Sequence, residues 1–184
     1  MQGRTLGEII TGRFRGWPAH ILQSDECAIT IVPALGGKIA SIVHQRTGRE
    51  FLAQPEADPV VRPAVGGRFV QSDPFGFDDM FPTILAGQMM LGEQQAIVLP
   101  DHGEVWSREW QHERVDEAVL LSIEGLSLPY RLAKRCSLAG ARTLRIDYTL
   151  TNLSPFGYDV IWAAHPLIDC SDAVEFDLPP GAMN

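Results

Sequence analysis

Lysine is nearly missing from this sequence. Of 184 residues only Lys38 and Lys134 are lysine, and 15 basic residues stand against 23 acidic ones, for a net charge of −8. No basic stripe can form, which excludes the phosphate-neutralising surface that nucleic-acid binding requires. Long apolar runs are missing too. No run reaches the length of a bilayer-spanning helix, and the opening MQGRTLGEIITGRFRG lacks the apolar centre of a signal peptide. The expectation is a cytoplasmic protein that engages neither membrane nor nucleic acid. Cysteine is scarce. Cys27, Cys136 and Cys170 are odd in number and far apart, a pattern that gives neither a disulfide framework nor a zinc knuckle. They read as buried free thiols.

Strand signals dominate what remains. The length suits one domain, 1–184, large enough to bury a core. AHILQSDECAITIVPALGGKIASIVHQ alternates in short runs, with Ala28, Thr30 and Val32 on one face and Ile29 and Ile31 on the other. Thr47-Gly48 in RTGREFLA predicts a tight hairpin. AVLLSIEG, YRLAKRCSLAG, TLRIDYTLTN and YDVIWAAHPLI are further strand-length segments between turn residues, at sandwich or barrel spacing. In TLRIDYTLTN, Leu144, Ile146, Tyr148 and Leu150 share a face. Residues 54–92, with Pro55, Pro59, Pro63, Pro74 and Pro82, read as a long ordered excursion over the sheet, since loops of that length are functional or disordered and this one carries four phenylalanines. No segment reads as a helix.

Four blocks then occur in order: GGKIASIVHQRTGREFL (36–52), FGFDDMFPTI (75–84), LPDHGEVWSREW (99–110) and TNLSPFGYDVIWAAHPLI (151–168). In order and spacing this set resembles the aldose 1-epimerase (galactose mutarotase) family, from about residue 20 to about residue 170. The blocks look like the opening Gly-Gly hairpin, the Phe-Pro element under the sugar, the Pro-x-His-Gly segment and the strand ending in His-Pro. The resemblance implies an all-β fold, a large antiparallel β-sandwich, and exchange of sugar anomers without a cofactor. One group donates a proton to the ring oxygen while another removes the anomeric hydroxyl proton, so both need pKa values near working pH. By motif match His165 is the general acid, and His102 the second histidine that binds and polarises the sugar. Asp78, Asp79, Trp106, Arg108 and Trp162 are the accompanying substrate-binding candidates, with indoles suited to stacking on apolar sugar faces.

The sequence departs from the family in three places. Trp106 stands where some relatives carry an arginine after His-Gly, and the nearest arginine is Arg108. Asp78 and Asp79 occupy the region where an arginine precedes Phe-Pro, with Arg68 upstream. The family's catalytic glutamate lies far downstream of His-Pro, beyond Asn184; Glu175 and Asp177 stand in no such motif. The expectation is a fold incomplete at its C-terminus, with open edges suited to a homodimer and weak anomer exchange at best. Several alternatives remain at this stage. The chain could bind a sugar or sugar phosphate without turning it over. Asp78 or Asp79 could contact sugar, accept a proton or cap the turn before MFPTI. Arg108 could simply pair with Glu104 or Glu109. A metal-dependent cupin is disfavoured, because His-x-His and His-Glu-x-x-His are both missing. His20, His44 and His112 read as structural or surface residues.

Overall fold

A computed structural model describes residues 7–92 and 95–170 together with Glu175, Asp177 and Pro179. In chain order the strands are β1 (Glu8–Phe14), β2 (Trp17–Gln23), β3 (Cys27–Val32), β4 (Lys38–His44), β5 (Arg49–Glu50), β6 (Phe77–Met80), β7 (Gly87–Leu91), β8 (Gln95–Leu99), β9 (Gln111–Val115), β10 (Ala118–Glu124), β11 (Tyr130–Gly140), β12 (Thr143–Asn152) and β13 (Ala163–Pro166). The helical elements among the described residues are two 3-10 turns, Pro33–Leu35 and Phe69–Gln71. No described helix is long and apolar enough to cross a membrane.

The larger sheet runs β1-β2-β3-β4-β6-β13, with β5 beside β4. A second sheet runs β12-β11-β10-β9, and β7 and β8 form a hairpin. Among the described residues the named strands pair antiparallel, and Phe81 and Gly103 form an isolated parallel bridge. The two main sheets bury their facing sides in one core. Cys27, Ile29 and Ile31 of β3 meet Val119, Leu121 and Ile123 of β10 and Tyr130, Leu132 and Cys136 of β11. Successive residues of a strand point to opposite sides, so every second residue of each strand enters this core. The opposite face of the large sheet is also covered. Residues 54–76 cross it, and Val60 and Phe75 pack with Ala19, Val32, Leu35 and Ala40. The Trp17 indole N–H donates to the Val60 carbonyl at 2.9 Å.

The structure departs from the expected segmentation at several points. β6 and β7 lie inside the stretch read as an excursion, because FDDM and GQMML are short and carry no clear period. Asp78 and Asp79 are consequently buried strand residues and not turn caps. In YDVIWAAHPLI only Ala163–Pro166 is strand. Gln45–Gly48 form a four-residue turn, since Val43 pairs with Glu50 and His44 with Arg49. Leu144, Ile146 and Tyr148 pack on the core, but Leu150 is exposed. Cys27 and Cys136 are buried free thiols, whereas Cys170 is exposed. His20 and His112 link the two sheets through a 2.9 Å ring-nitrogen contact.

Candidate functional site

The two motif histidines meet on the covered face of the large sheet. β13 carries His165, directly opposite Asp78 of β6. His102 arrives on the loop between β8 and β9. The two imidazole centroids are 5.3 Å apart and nearly perpendicular, at 73°. Phe69 closes over both: it stacks on His102 at 4.3 Å and meets His165 edge-on at 4.9 Å. Trp106 packs against the same Phe69 ring at 5.1 Å. From the sequence Phe69 counts only as one of the four phenylalanines that order the excursion, not as a site residue. Its mark there is its place in an otherwise polar and Pro-Gly-rich stretch.

Backbone geometry explains the His-Gly pair. His102 has φ 58° and Gly103 φ 71°, both in the left-handed region that favours glycine. This sharp turn lets the chain run beside Phe81. The His102 N–H donates to the Ile84 carbonyl at 2.9 Å, and the Glu104 N–H to the Phe81 carbonyl at 2.9 Å. A Cβ on Gly103 would lie 2.1 Å from the Phe81 oxygen. The Gly103→Ala substitution combines a left-handed alanine with a backbone clash, for an expected loss of roughly 2–4 kcal/mol. Thermal unfolding checks this, and a Tm equal to that of the native chain would show that the loop is not held as described.

Asp101 fixes the loop to the aromatic cover. One carboxylate oxygen contacts His102 Nδ1 at 3.0 Å, and the other accepts the Phe69 N–H at 3.0 Å. The Phe69 N–H, helped by His102, holds the Asp101 carboxyl below the usual range. Arg68 is exposed beside it, and its charge acts in the same direction. Glu104, three residues after Asp101, is buried in a different role. It accepts from the Tyr130 hydroxyl at 2.9 Å, the Leu126 N–H at 2.7 Å, and the Ser127 N–H and hydroxyl at 3.1 and 2.8 Å.

Asp78 and Asp79 diverge, because successive strand residues point to opposite faces. Asp78 lies on the histidine side, fully buried, 2.6 Å from the Lys38 ammonium. Burial pushes the Asp78 carboxyl up, and the ammonium pulls it back. Asp79 enters the core between the sheets. It pairs with the Lys134 ammonium at 2.7 Å and accepts from the Tyr148 hydroxyl at 2.7 Å and the Trp162 indole at 3.2 Å. Trp162 thus stands with Asp79 and Tyr148, its ring 4.6 Å from that of Tyr148, and not with the histidine pair. Arg108 donates to the Glu124 carbonyl at 2.8 Å, at the end of β10, and is not paired with Glu104 or Glu109. Glu109 is instead 3.4 Å from Arg62. Of the predicted residues, His102, His165, Asp78 and Trp106 come together. Asp79, Trp162 and Arg108 serve other contacts.

The His165 pKa is lowered by burial first and by His102 second, against an opposing pull from Asp78. Its resting form near neutral pH is therefore the uncharged imidazole, which can accept a proton. Among the described residues no group of three or more His, Cys, Asp or Glu side chains is placed to hold a metal ion.

No family model and no curated protein matches the chain in sequence. Solved structures do match its fold. A galactose mutarotase-like protein from Lactobacillus casei is similar at TM-score 0.63 and 17% identity, over 87% of this chain and 49% of that one. A galactose mutarotase related enzyme from Lactobacillus acidophilus is similar at TM-score 0.64 and 14% identity, over 86% and 51%. A 4-alpha-glucanotransferase from Thermococcus litoralis is similar at TM-score 0.54 and 16% identity, over 82% and 25%. The chain spans about half the length of the two mutarotase-like structures. At these identities the likeness concerns architecture, and it agrees with the sheet order and the antiparallel pairing: the fold is the galactose mutarotase-like β-sandwich.

Proposed function

We propose that the His102–His165 site binds a free sugar and exchanges its anomers by acid–base catalysis. The observation that carries this reading is the meeting of the two imidazoles at 5.3 Å under Phe69. Two residues 63 positions apart in the chain are thereby joined into one proton-handling pair. Mutarotation needs one acceptor at the anomeric hydroxyl and one donor at the ring oxygen, acting together. His165 starts neutral and accepts the anomeric proton; His102, held on Asp101, faces it as the donor. The C1–O5 bond breaks, the aldehyde end turns, and ring closure on the other face returns both protons. Each histidine therefore accepts in one half of the cycle and donates in the other. This exchanges the role that the resemblance gave His165: instead of donating to the ring oxygen, it takes the anomeric proton and, in the closing half, returns it to the carbonyl oxygen.

A binding-only reading has its own support. The carboxylates beside the histidines are not offered to a ligand as free bases: Asp78 is fully buried with one oxygen on Lys38, and both Asp101 oxygens are engaged, on Phe69 and His102. The two readings separate in one pair of measurements. Titration with galactose and glucose, followed by NMR of the histidine ring protons, is expected to move the His102 and His165 signals and leave those of His44. Polarimetry of freshly dissolved α-galactose then reports catalysis above the buffer rate. Sugar-induced shifts without catalysis would select the binding-only reading. No shift with either sugar would remove both.

A further inference from the structure

Two buried polar atoms on facing residues have no hydrogen-bond partner among the protein groups: Asp78 Oδ1 and His165 Nδ1. Their residues are directly paired across β6 and β13, which puts the two Cβ atoms about 4.5–5.5 Å apart on one face of the sheet. The other Asp78 oxygen is fixed. Lys38 Nζ holds it at 2.6 Å, donates to the Phe75 carbonyl at 2.7 Å, and lies 4.3 Å from the centroid of the Phe75 ring. Asp78 is 0% exposed and Lys38 5%, so neither swings out to find water. An unsatisfied buried polar group costs about 1–3 kcal/mol. Here an acceptor and a group able to donate face each other, and a single water between them satisfies both.

We propose that Lys38 and Asp78 are a positioning pair for His165: Asp78 Oδ1 accepts the His165 Nδ1 proton through one bridging water, which leaves Nε2 as the ring atom presented to the ligand. The proposal rests on reading His165 as the site's proton-handling group, and it adds Lys38, which stands in the first sequence block but is not among the site candidates. The physical effect is selection of a tautomer. A histidine whose Nδ1–H is tied to a carboxylate keeps Nε2 bare and correctly aimed. The proton cycles on and off Nε2 while the Nδ1–H stays in place. The Lys38 ammonium favours the Asp78 carboxylate against its burial, and the proton cycle on Nε2 leaves the charge of the pair unchanged. The groups facing His165 are Asp78 from β6, Lys38 from β4, and His102 with its Asp101 from the loop after β8. Asp78 alone favours the charged imidazole; Lys38 and His102 oppose it.

The test is the Asp78→Asn substitution read by imidazole nitrogen chemical shifts of histidine-labelled protein. In the native chain, above its titration, His165 is expected to carry its proton on Nδ1. In Asp78→Asn the Lys38 ammonium takes the amide oxygen and turns the NH₂ group toward His165. A donor then replaces the acceptor, the Nε2–H tautomer becomes dominant, and the His165 titration midpoint falls by about one pH unit. His44, on its own Thr47 hydroxyl at 2.7 Å, is expected to stay unchanged. A native chain with the proton on His165 Nε2 would overturn the proposal without any variant, so a poorly folding Asp78→Asn does not shield it. An unchanged tautomer and midpoint in the folded variant would overturn it as well. Sugar titration of the same samples keeps the two readings apart. Loss of sugar binding with the Nδ1–H tautomer intact defeats the functional reading and leaves the positioning pair standing.

Discussion

Lys134→Met is expected to lower the unfolding free energy by about 3–5 kcal/mol, the usual consequence of removing one partner of a buried ion pair. Lys134 and Asp79 have side-chain exposures of 2% and 1%, at a separation of 2.7 Å. Burial acts to lower the Lys134 pKa, and the Asp79 carboxylate overrides it, so the net direction is upward. Tyr148 and Trp162 bond the other Asp79 oxygen. They would remain around a carboxylate that has lost its counter-charge in the middle of the sandwich. Burial, with Asp79 second, pushes the Tyr148 hydroxyl up, so that group stays a neutral donor and brings no positive charge to replace the ammonium. The Asp79→Asn change made on top of Lys134→Met removes the stranded charge and is expected to recover part of the loss, so the two substitutions do not add. Denaturant unfolding of the single and double variants measures this through the midpoint at constant slope. A Lys134→Met protein within about 1 kcal/mol of native would mean that the pair is not the structural tie between the sheets that its geometry describes.

His165→Ala is expected to reduce any anomer exchange above the buffer rate by about 10²–10⁴-fold, the range for one positioned acid–base group. His102→Ala is expected to raise the sugar concentration needed for half-saturation more than it lowers the maximal rate. This assumes that the ring holds the sugar alike in the ground and transition states. The two effects are distinguished by full saturation curves on each variant. Both side chains sit against Phe69, and His165 is half-buried, so each variant is first compared with the native chain by thermal unfolding. Equal loss of rate in both variants, with unchanged half-saturation, would sink the division of labour between the two histidines. Persistence of the native rate in His165→Ala would move the chemistry away from β13 entirely.

The alternation in CAITIV, AVLLSIE, YRLAKRCSLAG and TLRIDYTLTN was enough to place four strands, because strand side chains alternate with a period of two; which faces are buried was not, since CAITIV is covered on both sides and TLRIDYTLTN exposes Leu150. His102 and His165 were legible because His-Gly and His-Pro each sit in a longer block with its own order in the chain. The tertiary structure decided what the local pattern left open. FDDM has no period that marks it as a strand, yet as β6 it sends Asp78 to the histidines and Asp79 to the core, and only the pairing with β4 and β13 says which goes where. Lys38 and Lys134 look alike on paper. One is anchored beside the site and the other between the sheets, since each buried ammonium needs a carboxylate that a distant strand supplies, 40 and 55 residues away. Trp106 and Trp162, both offered for sugar stacking, divide between the two faces of the sheet for the same reason: side-chain direction follows strand register and loop path, which are properties of the assembled sheet and not of the sequence around one residue.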